Sequence, residues 1–179
     1  MKKNIVFLFL SIALFLTGCS FNVSNIEQTI SNSSDKFITK ADELSKDDYS
    51  VSKVIDGDTI EVQDKEGNKI RVRLLMVDTP EVHNVSTPEP YGEEASAFTK
   101  ELLEEGQNVQ LEYDIEKLDP YDRTLAYVYL QDGRMLNEEL LREGLAKVVV
   151  FEPNKKYLKQ FKAIEEKAIE EKIGMWSVN

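Results

Sequence analysis

Arg73-Leu74-Leu75-Met76-Val77-Asp78-Thr79-Pro80-Glu81, read with Asp56-Gly57-Asp58-Thr59 before it and Arg123 after it, decides how this chain is understood. Three kinds of group recur in the set: hard carboxylate oxygens that suit a cation, a separate carboxylate able to take a proton, and two guanidinium groups that suit a polyanion. Phosphoryl transfer is governed by positioning and by neutralising the phosphoryl oxygens as the transition state forms, so the combination points to metal-assisted attack on a phosphodiester. Asp58 and Asp78 are the candidate oxygen ligands, with the Thr79 carbonyl as a neutral third. Asp56 is placed to act through water, and Glu81 is free to accept a proton from an attacking water.

Around these residues the pattern is that of strands. Val51, Lys53 and Ile55 alternate with Ser52, Val54 and Asp56, Thr59 to Gln63 follows, and Asp64-Lys65-Glu66-Gly67-Asn68 is a hairpin turn. Ile70, Val72 and Leu74 then share an apolar face, while Lys69, Arg71 and Arg73 share a basic outer one. Strands are expected again over Asn108–Tyr113 and Arg123–Leu130. Helices are expected over Glu93–Glu105, stopped by Gly106, over Leu136–Glu143, and from Asn154, a suitable N-cap after Pro153, to Gly174. The last helix turns Leu158, Phe161, Ile164, Ala168 and Ile173 inward, and Trp176 anchors its end. Periodicity alone specifies an α+β domain.

The segments Val54–Thr59, Arg73–Glu81, Tyr91-Gly92-Glu93-Glu94-Ala95-Ser96-Ala97-Phe98 and Tyr121-Asp122-Arg123-Thr124-Leu125-Ala126-Tyr127 resemble the thermonuclease, or staphylococcal nuclease, family, from about Tyr49 to Ser177 in one order. That resemblance implies an OB-fold five-stranded β-barrel with three α-helices. It also implies calcium-dependent hydrolysis of DNA and RNA that leaves 3′-phosphates. Residue by residue, Asp58, Asp78 and the Thr79 carbonyl become metal ligands and Asp56 a group just outside them. Glu81 becomes the candidate general base, Arg73 and Arg123 the phosphate clamps, and Tyr121 a wall of the nucleotide pocket.

The chain also departs from the family. Its type member has lysines after the glutamate and before the pocket tyrosine, where this chain has Val82-His83-Asn84-Val85-Ser86-Thr87-Pro88-Glu89-Pro90 and Pro120. A pair of pocket tyrosines is replaced by Val148-Val149-Val150-Phe151, in which Phe151 retains a ring to stack on a base but no hydroxyl for a phosphate.

The N-terminus opens on Met1-Lys2-Lys3 and a short apolar run from Ile5 to Leu16, a secretory leader in form and too short for a comfortable span. It ends in Leu16-Thr17-Gly18-Cys19, which resembles the bacterial lipoprotein processing box, so residues 1–18 read as a leader and Cys19 as the lipidated new N-terminus. Residues 19–48 are polar and read as a flexible tether, and residues 49–179 as the nuclease-like domain. The expectation is a monomer held by lipid to the outer face of a membrane, with DNA and RNA as substrates.

Cys19 is the single cysteine of 179 residues, which excludes an internal disulfide and a thiolate zinc cluster. His83 is the single histidine, which excludes mechanisms that need two. The formal net charge of −11 repels phosphate in bulk, so a basic, metal-loaded cleft has to override it locally and the substrate is held transiently. Taken alone, Asp56–Thr59 would be an ordinary turn. It is not an EF-hand, since the sixth position from Asp56 is Glu61, where glycine is required, and the twelfth is Gly67, where glutamate is required. Tyr121 and Phe151 could be plain core aromatics. The alternative to a nuclease is a non-catalytic OB-fold module that binds nucleic acid, but such a module would be free to lose Glu81 or one arginine, and here the set is whole.

Overall fold

A computed structural model of the protein describes residues 46–82, 87 and 89–177. The leader, the lipobox with Cys19, most of the tether, and His83 lie outside the described residues.

Five strands close into a barrel. These are β1 (Lys46–Val54), β2 (Thr59–Gln63), β3 (Lys69–Leu74), β5 (Asn108–Glu112) and β6 (Thr124–Tyr129), in the order β1-β2-β3-β6-β5. The β2–β3 hairpin turns at Asp64, whose Oδ1 accepts the Glu66 and Asn68 N–H groups, and this sets the register Gln63↔Lys69 through Thr59↔Arg73. β3 then pairs in parallel with β6, placing Arg73 opposite Leu125. β1 closes the barrel on β5 and begins at Lys46, three residues before Tyr49, the expected start.

β1 does not keep the simple alternation expected of it. A bulge between Val51 and Lys53 inserts one residue, so that Val54 rather than Ile55 pairs with Ile60 and packs against the core. β3 departs from expectation at its end. Lys69 and Arg71 are exposed, but Arg73 on the same face is buried, because the chain folds back over it through Leu75–Val77.

β6 is buried along Leu125–Val128, since the barrel covers one face and helices cover the other. Tyr127 lies edge-on to Tyr157 at 4.7 Å and to Phe161 at 5.9 Å. Three helices of the described residues surround the barrel: α1 (Gly92–Leu102), α2 (Leu136–Arg142) and α3 (Leu158–Glu170). A two-residue pair, β4 (Val77–Asp78) with β7 (Lys147–Val148), carries the chain over the site.

Helix ends differ from the sequence expectation for specific reasons. α1 stops at Leu102 because Leu103 turns extended and buries its side chain. Asn154 is not an N-cap. Its buried amide accepts the Glu116 N–H at 2.8 Å and donates to the Glu116 carbonyl at 3.0 Å, and α3 begins four residues later. α3 ends at Glu170, and Trp176 sits in a short 3₁₀ turn, Gly174–Ser177. There the Met175 N–H donates to the Gly144 carbonyl at 2.9 Å. The contact requires glycine, since a Cβ on Gly144 would lie 2.3 Å from the Ile173 carbonyl oxygen.

Candidate active site

The site is organised by Arg73. Its Nη2 lies 3.1 Å from Asp58 Oδ2 and 2.9 Å from Asp78 Oδ1, while its Nη1 donates to the carbonyls of Leu74 at 2.8 Å and Val77 at 2.6 Å. The guanidinium therefore pins the turn after β3 and draws together two carboxylates twenty positions apart in the chain. Only 5% of Arg73 is exposed. The Phe151 ring lies 5.3 Å from the guanidinium carbon.

Asp58 enters from the β1–β2 turn. The Asp58 N–H donates to Asp56 Oδ1, which shapes that turn and gives Asp56 a local backbone role; no ion pair joins Asp56 to Arg73 among the described residues. Gly57 serves close approach rather than an unusual turn conformation. A Cβ there would stand 2.8 Å from the Thr79 side chain and 2.9 Å from Ala95. Its carbonyl accepts the Thr99 hydroxyl at 2.7 Å, which ties the turn to α1.

Asp58 is 6% exposed and richly supplied with donors. The Thr79 N–H donates to Oδ2 at 2.9 Å and the Thr79 hydroxyl at 3.2 Å, while the Thr59 hydroxyl donates to Oδ1 at 3.0 Å. Burial nevertheless outweighs these bonds and the Arg73 charge, and pushes the Asp58 carboxyl up to about 6. A dry carboxylate so disfavoured in its charged form would gain from a second cation.

Asp58, Asp78 and Thr79 thus converge as the sequence suggested. Among the described residues no three His, Cys, Asp or Glu side chains are grouped to hold a metal. What the site offers is two carboxylates of one hard-oxygen type, with Thr79 tied to the first of them through its N–H and hydroxyl. That set fits a hard divalent cation that keeps water or substrate oxygens in its remaining positions.

The other expected residues are held by other partners, Phe151 excepted, which lies against Arg73. Glu81 is exposed on the loop leading away, where its N–H donates to Glu89 Oε2 and its carbonyl accepts the Glu89 N–H. Arg123 lies at the entry to β6, two residues before Leu125, the partner of Arg73. It is held by Asp119, whose Oδ2 accepts the Nε–H at 2.6 Å and whose Oδ1 accepts the N–H groups of Tyr121 and Arg123. Backbone and charge donors together hold the Asp119 carboxyl below the usual range despite its burial. Tyr121 is 80% exposed, with its ring 5.5 Å from the Arg123 guanidinium carbon, so it is not a core aromatic. Phe151 is half-buried against both the core and Arg73.

Sequence reasoning missed two residues. Asp119 could have been suspected from its four-residue spacing to Arg123. Lys147, whose ammonium lies 3.1 Å from Asp78 Oδ2, could not, because the contact depends on the β4–β7 pairing.

Comparison with known proteins places the chain in a family. A family model described as staphylococcal nuclease homologue matches residues 71–178. A thermonuclease of Staphylococcus hyicus is 47% identical over 130 residues, covering 72% of this chain and 75% of its own. A thermonuclease of Staphylococcus intermedius is 44% identical over 146 residues, covering 81% of this chain and 85% of its own. The SPbeta prophage-derived endonuclease YokF of Bacillus subtilis (strain 168) is 48% identical over 135 residues, 74% of this chain but only 45% of that protein.

Proposed function

The chain belongs to the staphylococcal nuclease family, and we propose that it is a calcium-dependent nuclease that hydrolyses phosphodiester bonds of DNA and RNA to leave 3′-phosphates. The observation that carries this reading is the meeting of Asp58 and Asp78 on one nitrogen of buried Arg73, at 3.1 and 2.9 Å. A binding module has no need of two carboxylates crowded where a phosphate is to sit.

Asp58, Asp78 and the Thr79 carbonyl would hold the cation, with Asp56 outside them. When bound, calcium supplies a Lewis acid to the phosphoryl oxygens. Arg73 and Arg123 contribute donors to those oxygens, and charge build-up in the transition state strengthens both contacts. Glu81 positions the attacking water and receives its proton on a carboxylate oxygen. Its exposure leaves that oxygen open to solvent, as a group that must meet water requires. Tyr121 and Phe151 flank the two arginines and stack on bases.

The same reading includes export. The leader and the Cys19 lipobox would place a monomer on the outer face of a bacterial membrane, and Cys19→Ala would release it from the membrane fraction. Among the described residues no helix is long and apolar enough to cross a membrane.

Activity is tested by incubating the purified chain with single-stranded DNA, duplex DNA and RNA, in calcium and in chelator. Calcium-dependent shortening with 3′-phosphate ends is expected, abolished in Asp58→Ala and Asp78→Ala although both stay folded. Wild-type rates in both variants would show that the site is misassigned, and no cleavage of any substrate by wild type would favour the binding module.

A further inference from the structure

Among the described residues five large apolar side chains are exposed: Ile115, Leu118, Tyr121, Val150 and Ile169. Four of them belong to two short segments, 113–123 and 148–154, which one buried residue stitches together. The Asn154 amide holds both backbone groups of Glu116, and the Asn154 N–H donates to the Phe151 carbonyl at 2.7 Å. The first segment is further fixed where the Leu125 N–H donates to the Lys117 carbonyl at 2.8 Å and where Asp119 takes the Tyr121 and Arg123 N–H groups. Ile115, at 72% exposure, and Leu118, at 51%, are therefore presented by a rigid loop. Exposing them costs hydrophobic free energy that a purely structural loop could avoid with polar side chains.

Both segments end at the site. Phe151 lies against Arg73, and Tyr121 against Arg123. Of the four acids of the loop two are engaged, Asp114 accepting from the Lys156 N–H and the Tyr127 hydroxyl and Asp119 pairing with Arg123, while Glu116 and Asp122 are exposed beside the apolar side chains. We propose that Ile115, Leu118 and Val150 continue the Tyr121 and Phe151 rings as an apolar shelf for the nucleobases that flank the scissile phosphate. The proposal rests on the nuclease reading and names residues outside its catalytic set. Continuity with the site selects the occupant. A strand held at its phosphate by Arg73 and Arg123 passes the Phe151 and Tyr121 rings that lie against them, and its uncharged base faces can rest on the apolar side chains beyond without opposing the chain's net charge of −11.

The test uses the full chain and the double variant Ile115→Ser/Leu118→Ser, with Ile115→Met/Leu118→Met as the apolar control. Initial rates are measured on a dinucleotide and on a single-stranded octanucleotide in calcium. The expected result is a five- to tenfold loss of kcat/KM on the octanucleotide, carried by KM, with less than a twofold change on the dinucleotide and with the Met pair within twofold of wild type. Equal loss on both substrates, or no loss on either, overturns the shelf while leaving the nuclease reading intact. Cleavage of neither substrate by wild type overturns both. Sedimentation with phosphatidylglycerol vesicles adds a further arm: vesicle binding lost in the Ser pair, with unchanged octanucleotide kinetics, would assign the face to membrane instead.

Discussion

Lys147 stands directly opposite Asp78 in the β4–β7 pair, with its ammonium 3.1 Å from the carboxylate oxygen that Arg73 leaves free. Asp78 is thus flanked by two cations, one buried and one largely exposed. A cation bound at Asp78 must compete with the exposed one. Lys147→Met should tighten calcium binding about two- to fivefold, the range expected of an exposed pair. Isothermal titration of the two proteins at equal ionic strength measures this, and unchanged or weaker binding would deny Lys147 that role.

Asp58 gives a pH dependence whose sign follows from its environment. Burial raises its folded-state carboxyl to about 6 from an ordinary 3.8, so the folded chain holds the proton more tightly than the unfolded chain. The stability associated with that proton is fully present below 3.8 and is lost as pH rises through 6. In calcium-free buffer, Asp58→Asn should therefore gain Tm over wild type as pH goes from 4.5 to 8. A difference in Tm that stays constant across that range would contradict the burial argument.

Gly57 allows Asp58 and Thr79 to meet. In Gly57→Ala the new methyl group would stand 2.8 Å from the Thr79 side chain and should cost about 1–3 kcal/mol, the range for overpacking a tight site. Calcium affinity should fall with it, since Thr79 and Asp58 are displaced together. Chemical denaturation and titration calorimetry report the two effects separately.

Asp119 orients Arg123 by a side-chain bond at 2.6 Å and by accepting its backbone N–H, with that of Tyr121 on the same oxygen. Asp119→Ala should lower kcat at least tenfold through a misplaced guanidinium, with calcium affinity unchanged. Arg71→Lys, exposed on the same strand as Arg73, should alter neither quantity.

Much of this was legible in the chain itself. β2, the β2–β3 hairpin and the alternation of β3 follow from local chemistry, and the structure reproduces Thr59–Gln63 residue for residue. Asp58, Asp78 and Thr79 stood out in the sequence through their company with Arg73, Glu81 and Arg123 and through the family resemblance, since Asp56–Thr59 alone reads as an ordinary turn. What escaped depends on long-range geometry. The bulge in β1 follows from barrel closure, the burial of Arg73 from the chain folding back over it, and the buried position of Asn154 from a loop 38 positions away. An N-cap and a buried loop clamp use the same amide and look identical in sequence.

Arg123 separates catalysis from binding. Its fork should grip the phosphoryl oxygens hardest as charge develops, which a point charge on lysine cannot reproduce. The decisive measurement pairs single-turnover cleavage with equilibrium binding of one short oligonucleotide, for wild type and for Arg123→Lys. The nuclease account predicts a rate reduced by orders of magnitude with affinity changed far less; a loss confined to affinity would contradict it.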